Sequence, residues 1–158
     1  QCGTIQLDFQ MPEKFDMCYI CEDGDKHRPV MVHRTVFGSI ERFIGILTEH
    51  FAGAFPTWLA PVQARVLPIT DKFNDYAYEV ASKLESAGVR VEVDSRNEKI
   101  GYKIRESQMQ KVPYMLVVGE KEATSGTVGL RKRGEGDLGA VDVDQFVADI
   151  AAEIKERK

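Results

Sequence analysis

Pro113-Tyr114-Met115-Leu116-Val117-Val118 is an uncharged, apolar run ended by Gly119. A strand with one face in water alternates apolar with polar residues. A run that stays apolar reads instead as a strand covered on both faces, as at the centre of a parallel sheet. Upstream, Ala64 to Ile69 is a second strand, and Val89 to Asp94 a third with Val89, Val91 and Val93 on one side. Between them, Asp71 to Ala87 carries Phe73, Tyr76, Ala77, Val80 and Leu84 at helical spacing, with an acid in the first turn and Gly88 as the stop. Glu98 to about Gln110 is a more polar helix. Downstream, a loop rich in Gly, Ser and Thr leads to Thr127 to Arg133, a hairpin partner strand. Asp142 to Lys158 is the closing helix, with Phe146, Val147, Ile150 and Ile154 facing in. The alternation predicts an α/β domain: a mixed, mostly parallel sheet with one antiparallel edge and flanking helices.

The domain begins after Gly53 to Pro61, where two prolines and a glycine separate patterned segments. The expected division is therefore residues 1–60 and 61–158. In the first part, Gly3 to Phe9 alternates Thr4, Gln6 and Asp8 with Ile5, Leu7 and Phe9, a strand with one polar face. Asp16 to Cys21, the turn Glu22-Asp23-Gly24-Asp25 and Lys26 to His33 read as a β-hairpin. Gly38-Ser39 opens a helix to about His50 whose Ile40, Phe43, Ile44 and Leu47 predict one buried face. This is an incomplete antiparallel α+β piece with too many open edges to fold alone. Together with a start at Gln1 that already reads as strand, it suggests a segment of something longer, completed by upstream sequence.

The chain has 158 residues, 43% hydrophobic and 29% charged, with a net charge of −4. This excludes disorder, collagen and coiled coil, and its apolar runs are too short to span a bilayer, so no membrane partner is expected. An acidic chain does not grip nucleic acid over its whole surface, although local basic patches stay open to it. Cys2, Cys18 and Cys21 are sparse and odd in number, which favours a reducing, cytoplasmic setting over a disulfide framework. Cys18-x-x-Cys21, with His27 and His33 beyond, admits a zinc knuckle, a redox dithiol or two plain strand cysteines. Residues three apart on a strand point to opposite faces, so plain cysteines are expected.

In open α/β sheets, ligands bind beyond the carboxyl ends of the parallel strands. Those ends are Thr70-Asp71, Ser95-Arg96-Asn97 and Gly119-Glu120-Lys121-Glu122. Arg96, Lys99, Lys103, Arg105 and Lys111 outnumber Glu98 and Glu106 there, and Arg131-Lys132-Arg133 follows the third. The rim reads either as a polyanion site, with Asn97 and Glu122 able to read base edges, or as a solvated charged face. In the first part, Ser39 and Arg42 share a helix face, Thr4 and Gln6 share a strand face, and His33 ends the hairpin. An arginine so placed can clamp a phosphate in bidentate fashion. The competing reading is an ordinary surface ion pair, with His33 a hydrogen-bonded edge residue.

Gly38-Ser39-Ile40-Glu41-Arg42-Phe43-Ile44-Gly45 resembles motif 3 of the class II aminoacyl-tRNA synthetases, whose arginine binds ATP. Gly3-Thr4-Ile5-Gln6-Leu7-Asp8-Phe9, His27 to Arg34, Asp94 to Arg105 and Pro113 to Gly119 extend the likeness over nearly the whole chain, to the threonyl-tRNA synthetase family. The resemblance implies that residues 1–60 end a class II catalytic core and that 61–158 form an anticodon-binding domain. It implies Thr4, Gln6, Ser39 and Arg42 at the threonine and ATP pocket, Arg42 as the catalytic group, and ATP with Mg as a substrate. His33 is implied as a zinc ligand whose partner Cys and His lie elsewhere. Zinc in this family holds the amino and hydroxyl groups of threonine, and a hydroxyl that must be coordinated excludes valine. Asn97, Lys99, Arg105, Glu122 and Arg131 match positions at or near the anticodon. The implied partners are threonine-accepting tRNA, threonine and a second copy in the full-length enzyme. Without motifs 1 and 2 and two zinc ligands, this part alone is expected to be inactive. A free-standing tRNA-binding module is the alternative, but it has no use for Arg42 or His33.

Overall fold

The structure is a computed structural model that describes residues 3–157; Cys2 lies outside them. The chain divides into two compact units between His50 and Phe51. Among the described residues, no helix is long and apolar enough to cross a membrane.

In the first unit, β1 (Thr4–Asp8) pairs antiparallel with β4 (Met31–Thr35), with Thr4 opposite Thr35 and Gln6 opposite His33. Thr4, Gln6 and His33 therefore share one sheet face, and Ile5, Leu7 and Val32 the other. Between these strands lie α1 (Met11–Lys14) and a hairpin of β2 (Tyr19–Ile20) and β3 (Lys26–His27). The expected long hairpin is thus two separate pairings. Asp8 starts α1 by accepting the Gln10 and Met11 amides at 2.9 Å, and these N–H groups hold its carboxyl below the usual carboxylate range. Arg28 anchors the loop by donating to the Pro12 carbonyl at 2.8 Å.

α2 (Ile40–His50) follows. The expected buried face is not buried: Phe43 and Leu47 are half-covered, while Ile40 stays 71% and Ile44 54% exposed. The helical period is right, but two strands are too narrow a sheet to cover it.

In the second unit a five-stranded sheet runs β6-β5-β7-β8-β9. The strands are β5 (Ala64–Pro68), β6 (Val91–Val93), β7 (Tyr114–Val118), β8 (Thr127–Lys132) and β9 (Gly136–Asp142). β6, β5 and β7 are parallel, and β8 and β9 continue antiparallel. The antiparallel edge is thus a two-stranded ribbon. β9 was absent from the sequence expectation because Gly136 and Gly139 interrupt its apolar pattern, both at positive φ.

The helix expected over 71–87 is a 3-10 turn (Asp71–Phe73) running into α3 (Asn74–Ser86). α4 covers Ile100–Met109, and α6 covers Val143–Glu156. Asp142 caps α6 by accepting the Asp144 and Gln145 amides. The stretch after Gly119, expected as a loop, is a short helix, α5 (Glu120–Ser125), because Glu122 reaches back to the Gly119 N–H at 3.0 Å.

Strand parity distributes the sheet's side chains. Ala64, Val66, Tyr114, Leu116, Val118, Val128 and Leu130 face α3 and α6 and form the core with Val80, Leu84, Phe146 and Ile150. Arg65, Met115 and Arg131, paired side by side, point to the opposite face. There Arg65 meets Ser107 of α4 at 3.5 Å and pairs with Glu92 at 2.6 Å. Residues 51–60 belong with this unit. Arg133 donates to the Phe55 carbonyl at 2.6 Å, Gln63 to that of Thr57 at 2.9 Å, and Arg90 to that of Ala60 at 2.8 Å.

Candidate functional site

In the first unit, a cavity of 500 Å³ is lined by Thr4, Thr35, Phe37, Gly38, Arg42, Phe43 and Ile46 among others. It brings Thr4 and Arg42 together. Ser39 sits at the start of α2, where its hydroxyl accepts the Arg42 N–H at 3.2 Å. That bond fixes the first turn, so the shared face of Ser39 and Arg42 serves first as a cap. The exposed Arg42 guanidinium makes no ion pair or side-chain hydrogen bond among the described residues. Phe37 stacks on Phe43, ring centroids 4.3 Å apart, and forms an apolar wall beside it.

His33 lies across from Gln6, and its Nε2 is 3.3 Å from the Asp8 carboxylate. One imidazole with one carboxylate beside it is too small a donor set for a zinc centre, and no metal-sized donor cluster among the described residues includes His33. The residues of this chain around His33 do not by themselves fit the metal that the resemblance implies.

In the second unit the basic rim sorts into committed and free groups. Arg96 closes a bidentate pair on Asp94 at 2.8 and 2.7 Å and reaches Glu106. Its guanidinium draws the Asp94 carboxyl below the usual value of 3.8. Lys103 is 2% exposed, and its ammonium donates to the carbonyls of Pro68 at 3.0 Å and Asp94 at 2.9 Å. It ties the carboxyl ends of β5 and β6 together beneath the loop that carries Asn97. Lys111 is bonded to the Ala52 carbonyl. Arg133 is spent on backbone carbonyls, and desolvation lowers its pKa. Four basic residues expected at the rim, Arg96, Lys103, Lys111 and Arg133, are thus structural.

Asn97, Lys99 and Arg105 are exposed and make no side-chain hydrogen bond among the described residues. Lys99 precedes the first turn of α4, and Arg105 lies on that helix's outer side, since Lys103 and Ser107 are its buried positions. Glu122 caps α5 through one oxygen. The backbone is tight there, since a Cβ on Gly119 would come within 2.7 Å of the Ile69 side chain. Arg131 is not at the strand ends. It pairs in register with Met115, near the start of β7, and its guanidinium meets Asp137 at 2.8 Å. It shares with Gln108 of α4 the lining of a 360 Å³ cavity, so it joins the α4 side of the sheet from below the rim.

Sequence reasoning counted Lys103 and Arg96 among available charges and missed their internal roles. The signal for Lys103 was its four-residue spacing from Ser107 on a polar helix, which marks a shared inward face. For Arg96 it was Asp94 two residues before it.

Comparison with known proteins assigns each unit. Residues 63–153 match the family model described as the anticodon binding domain, and residues 1–51 match the class II tRNA synthetase core domain (G, H, P, S and T). The chain is 68% identical over 157 residues to the threonine–tRNA ligase of Syntrophomonas wolfei and 66% identical to that of Clostridium tetani. Each alignment covers 99% of this chain and 25% of the relative, so the chain spans a quarter of the length of these curated relatives. The crystal structure of the RNA binding domain of threonyl-tRNA synthetase from Cryptosporidium parvum superposes with a TM-score of 0.78 at 41% identity, covering 96% of this chain and 39% of that one. The chain therefore belongs to the anticodon binding domain family, in the form that threonyl-tRNA synthetases carry behind the end of a class II core.

Proposed function

We propose that the chain supplies two parts of a threonine–tRNA ligase, the end of its catalytic core in the first unit and its anticodon reader in the second, with residues 51–60, expected in the core part, packed with the reader. The whole enzyme activates threonine with ATP, taken with Mg, and passes it to threonine-accepting tRNA in the cytoplasm as a homodimer. Thr4, Gln6, Ser39 and Arg42 line the threonine and adenylate pocket. Arg42 is the catalytic group, because an unpaired guanidinium over a cavity is free to neutralise phosphate charge as it develops. His33 is one zinc ligand, to be completed by residues of the longer protein. Asn97 and Glu122 read anticodon base edges, while Lys99 and Arg105 hold the RNA backbone and Arg131 lies near the anticodon.

The single observation carrying this reading is the division of the rim. Arg96, Lys103, Lys111 and Arg133 are consumed within the fold, whereas Asn97, Lys99 and Arg105 are exposed and without a side-chain partner among the described residues. A merely solvated charged face has no reason to be sorted in this way. The test is titration of the threonine anticodon stem-loop, and of one altered in its last two letters, at low salt. Asn97→Ala is expected to cost about 1–3 kcal/mol and to flatten discrimination between the two RNAs. Lys99→Ala is expected to weaken both alike and to make the salt dependence shallower. Equal losses on both RNAs for Asn97→Ala would remove its base-reading role.

A further inference from the structure

Strand parity separates Cys18 from Cys21, but the same parity unites Cys21 with His27. Tyr19 and His27 are directly opposite in the β2–β3 pair, so their side chains share a face. Cys21 lies two residues beyond Tyr19 and returns to that face. The ladder reaches it, since the Cys21 N–H donates to the Asp25 carbonyl at 3.0 Å. Asp23 sits in the intervening turn, closed by the Gly24 N–H on the Cys21 carbonyl at 3.0 Å, with Gly24 at φ 83°. The ligand atoms of Cys21, Asp23 and His27 all lie within 4.8 Å of one another.

The arrangement is organised as well as close. One Asp23 oxygen accepts the Asp25 N–H at 2.9 Å, which aims the other at His27 Nε2, 2.8 Å away. The Tyr19 ring lies beside the imidazole, tilted, with centroids 5.9 Å apart. Cys21 is half-buried, while Asp23 and His27 are open to solvent, so an ion can enter. Glu22 and Asp25 add negative charge around the turn.

We infer that this turn is a binding site for a divalent ion of the zinc class, held by Cys21 Sγ, His27 Nε2 and an Asp23 carboxylate oxygen, with water in the fourth position. One sulfur, one imidazole and one carboxylate form the mixed donor set that zinc accepts and that Mg2+ and Ca2+ do not. Binding replaces the thiol S–H bond with a thiolate–metal bond and releases the proton to solvent. The hydrogen bond between Asp23 and His27 opens so that both turn to the ion, while the Asp25 N–H keeps its hold on the other Asp23 oxygen.

Titration of the reduced 158-residue chain with Co2+, the spectroscopic stand-in for zinc, tests the site. One equivalent is expected to produce the near-ultraviolet absorption of a thiolate–cobalt bond, displaced by Zn2+ and not by excess Mg2+. Cys21→Ser is expected to abolish the band. His27→Ala and Asp23→Ala are each expected to weaken affinity by at least about tenfold, since even outer-shell partners are worth that much. Cys18→Ser, Cys2→Ser and His33→Ala are expected to leave the band and its stoichiometry unchanged. Cys21, Asp23 and His27 all lie on a small surface hairpin, and circular dichroism of each variant separates a lost site from a lost fold. No thiolate band, a band surviving Cys21→Ser, a band lost with Cys18→Ser or Cys2→Ser, or displacement by Mg2+ would each overturn the assignment.

Discussion

The two units spend their apolar residues in opposite ways. In the second, Leu67, Leu84, Leu116 and Val118 are fully shielded, and Phe146 meets Tyr114 edge-on at 5.4 Å. In the first, Pro12 is the one buried residue among those described, and Ile5, Leu7, Val32, Ile40 and Ile44 stand more than half exposed. Both segments carry clean amphipathic patterns, so the difference lies in the number of strands available to receive them. Five strands in one sheet between helices enclose a core; two separate two-stranded pairings with two helices present apolar faces without closing one.

The comparison breaks most directly at Leu116. Leu116→Ala removes a fully buried side chain and is expected to destabilise the second unit by about 2–5 kcal/mol. Ile44→Ala is expected to change the stability of the 158-residue chain by no more than about 0.5 kcal/mol. Chemical denaturation of both variants checks this, and a comparable loss at Ile44 would mean that α2 is covered after all.

The next largest effect concerns chemistry. In the longer ligase, Arg42→Ala is expected to slow adenylate formation by about a hundredfold or more, as removal of a single charge-stabilising donor does. The 158-residue chain is expected to show no threonine-dependent ATP–pyrophosphate exchange. Exchange by this chain alone would mean that the first unit is catalytically complete.

Lys103 sharpens the comparison within the second unit. Lys103→Met leaves the Pro68 and Asp94 carbonyls without their donor and is expected to cost about 1–3 kcal/mol. Because those carbonyls end β5 and β6 beneath Asn97, stem-loop affinity is expected to fall as well, although Lys103 itself is out of reach of RNA. Unchanged affinity in the folded variant would separate the buried tie from the rim.

The smallest expected effect is a pH dependence. Arg96 lowers the Asp94 pKa in the folded chain, so the unfolded state binds the proton more readily. The stabilisation from Asp94 is complete above about pH 4, the unfolded value, and is lost as pH falls through the depressed native value. Asp94→Asn is expected to lower stability at neutral pH and to flatten its decline below about pH 4, as acid titration followed by circular dichroism reads. An unaltered acid profile would mean that the Asp94–Arg96 pair contributes nothing.

The sequence by itself determined whatever depends on local period and local chemistry. Pro113 to Val118 has no polar alternation and, at six residues between a proline and a glycine, reads as a strand covered on both sides. Asp142 before an apolar helical stripe, and Ser39 before Ile40, announced helix starts that their side chains cap. The place of Asn97 just beyond β6 and of Arg105 on the helix that follows was legible from the alternation of strand and helix. Tertiary structure decided what depends on partners distant in sequence. Whether the stripe of α2 is buried is set by the strands available to receive it, and Ile40 and Ile44 stay exposed in this unit. β9 exists because β8 offers it a ladder, despite glycines that local propensity counts against it. Which arginines and lysines are free is set by register and by buried carbonyls: Arg131 opposite Met115, Lys103 on Pro68 and Asp94. A cation's place in the chain says nothing about which unsatisfied oxygen the folded backbone will bring to it, and a buried oxygen without a donor is too costly to leave alone.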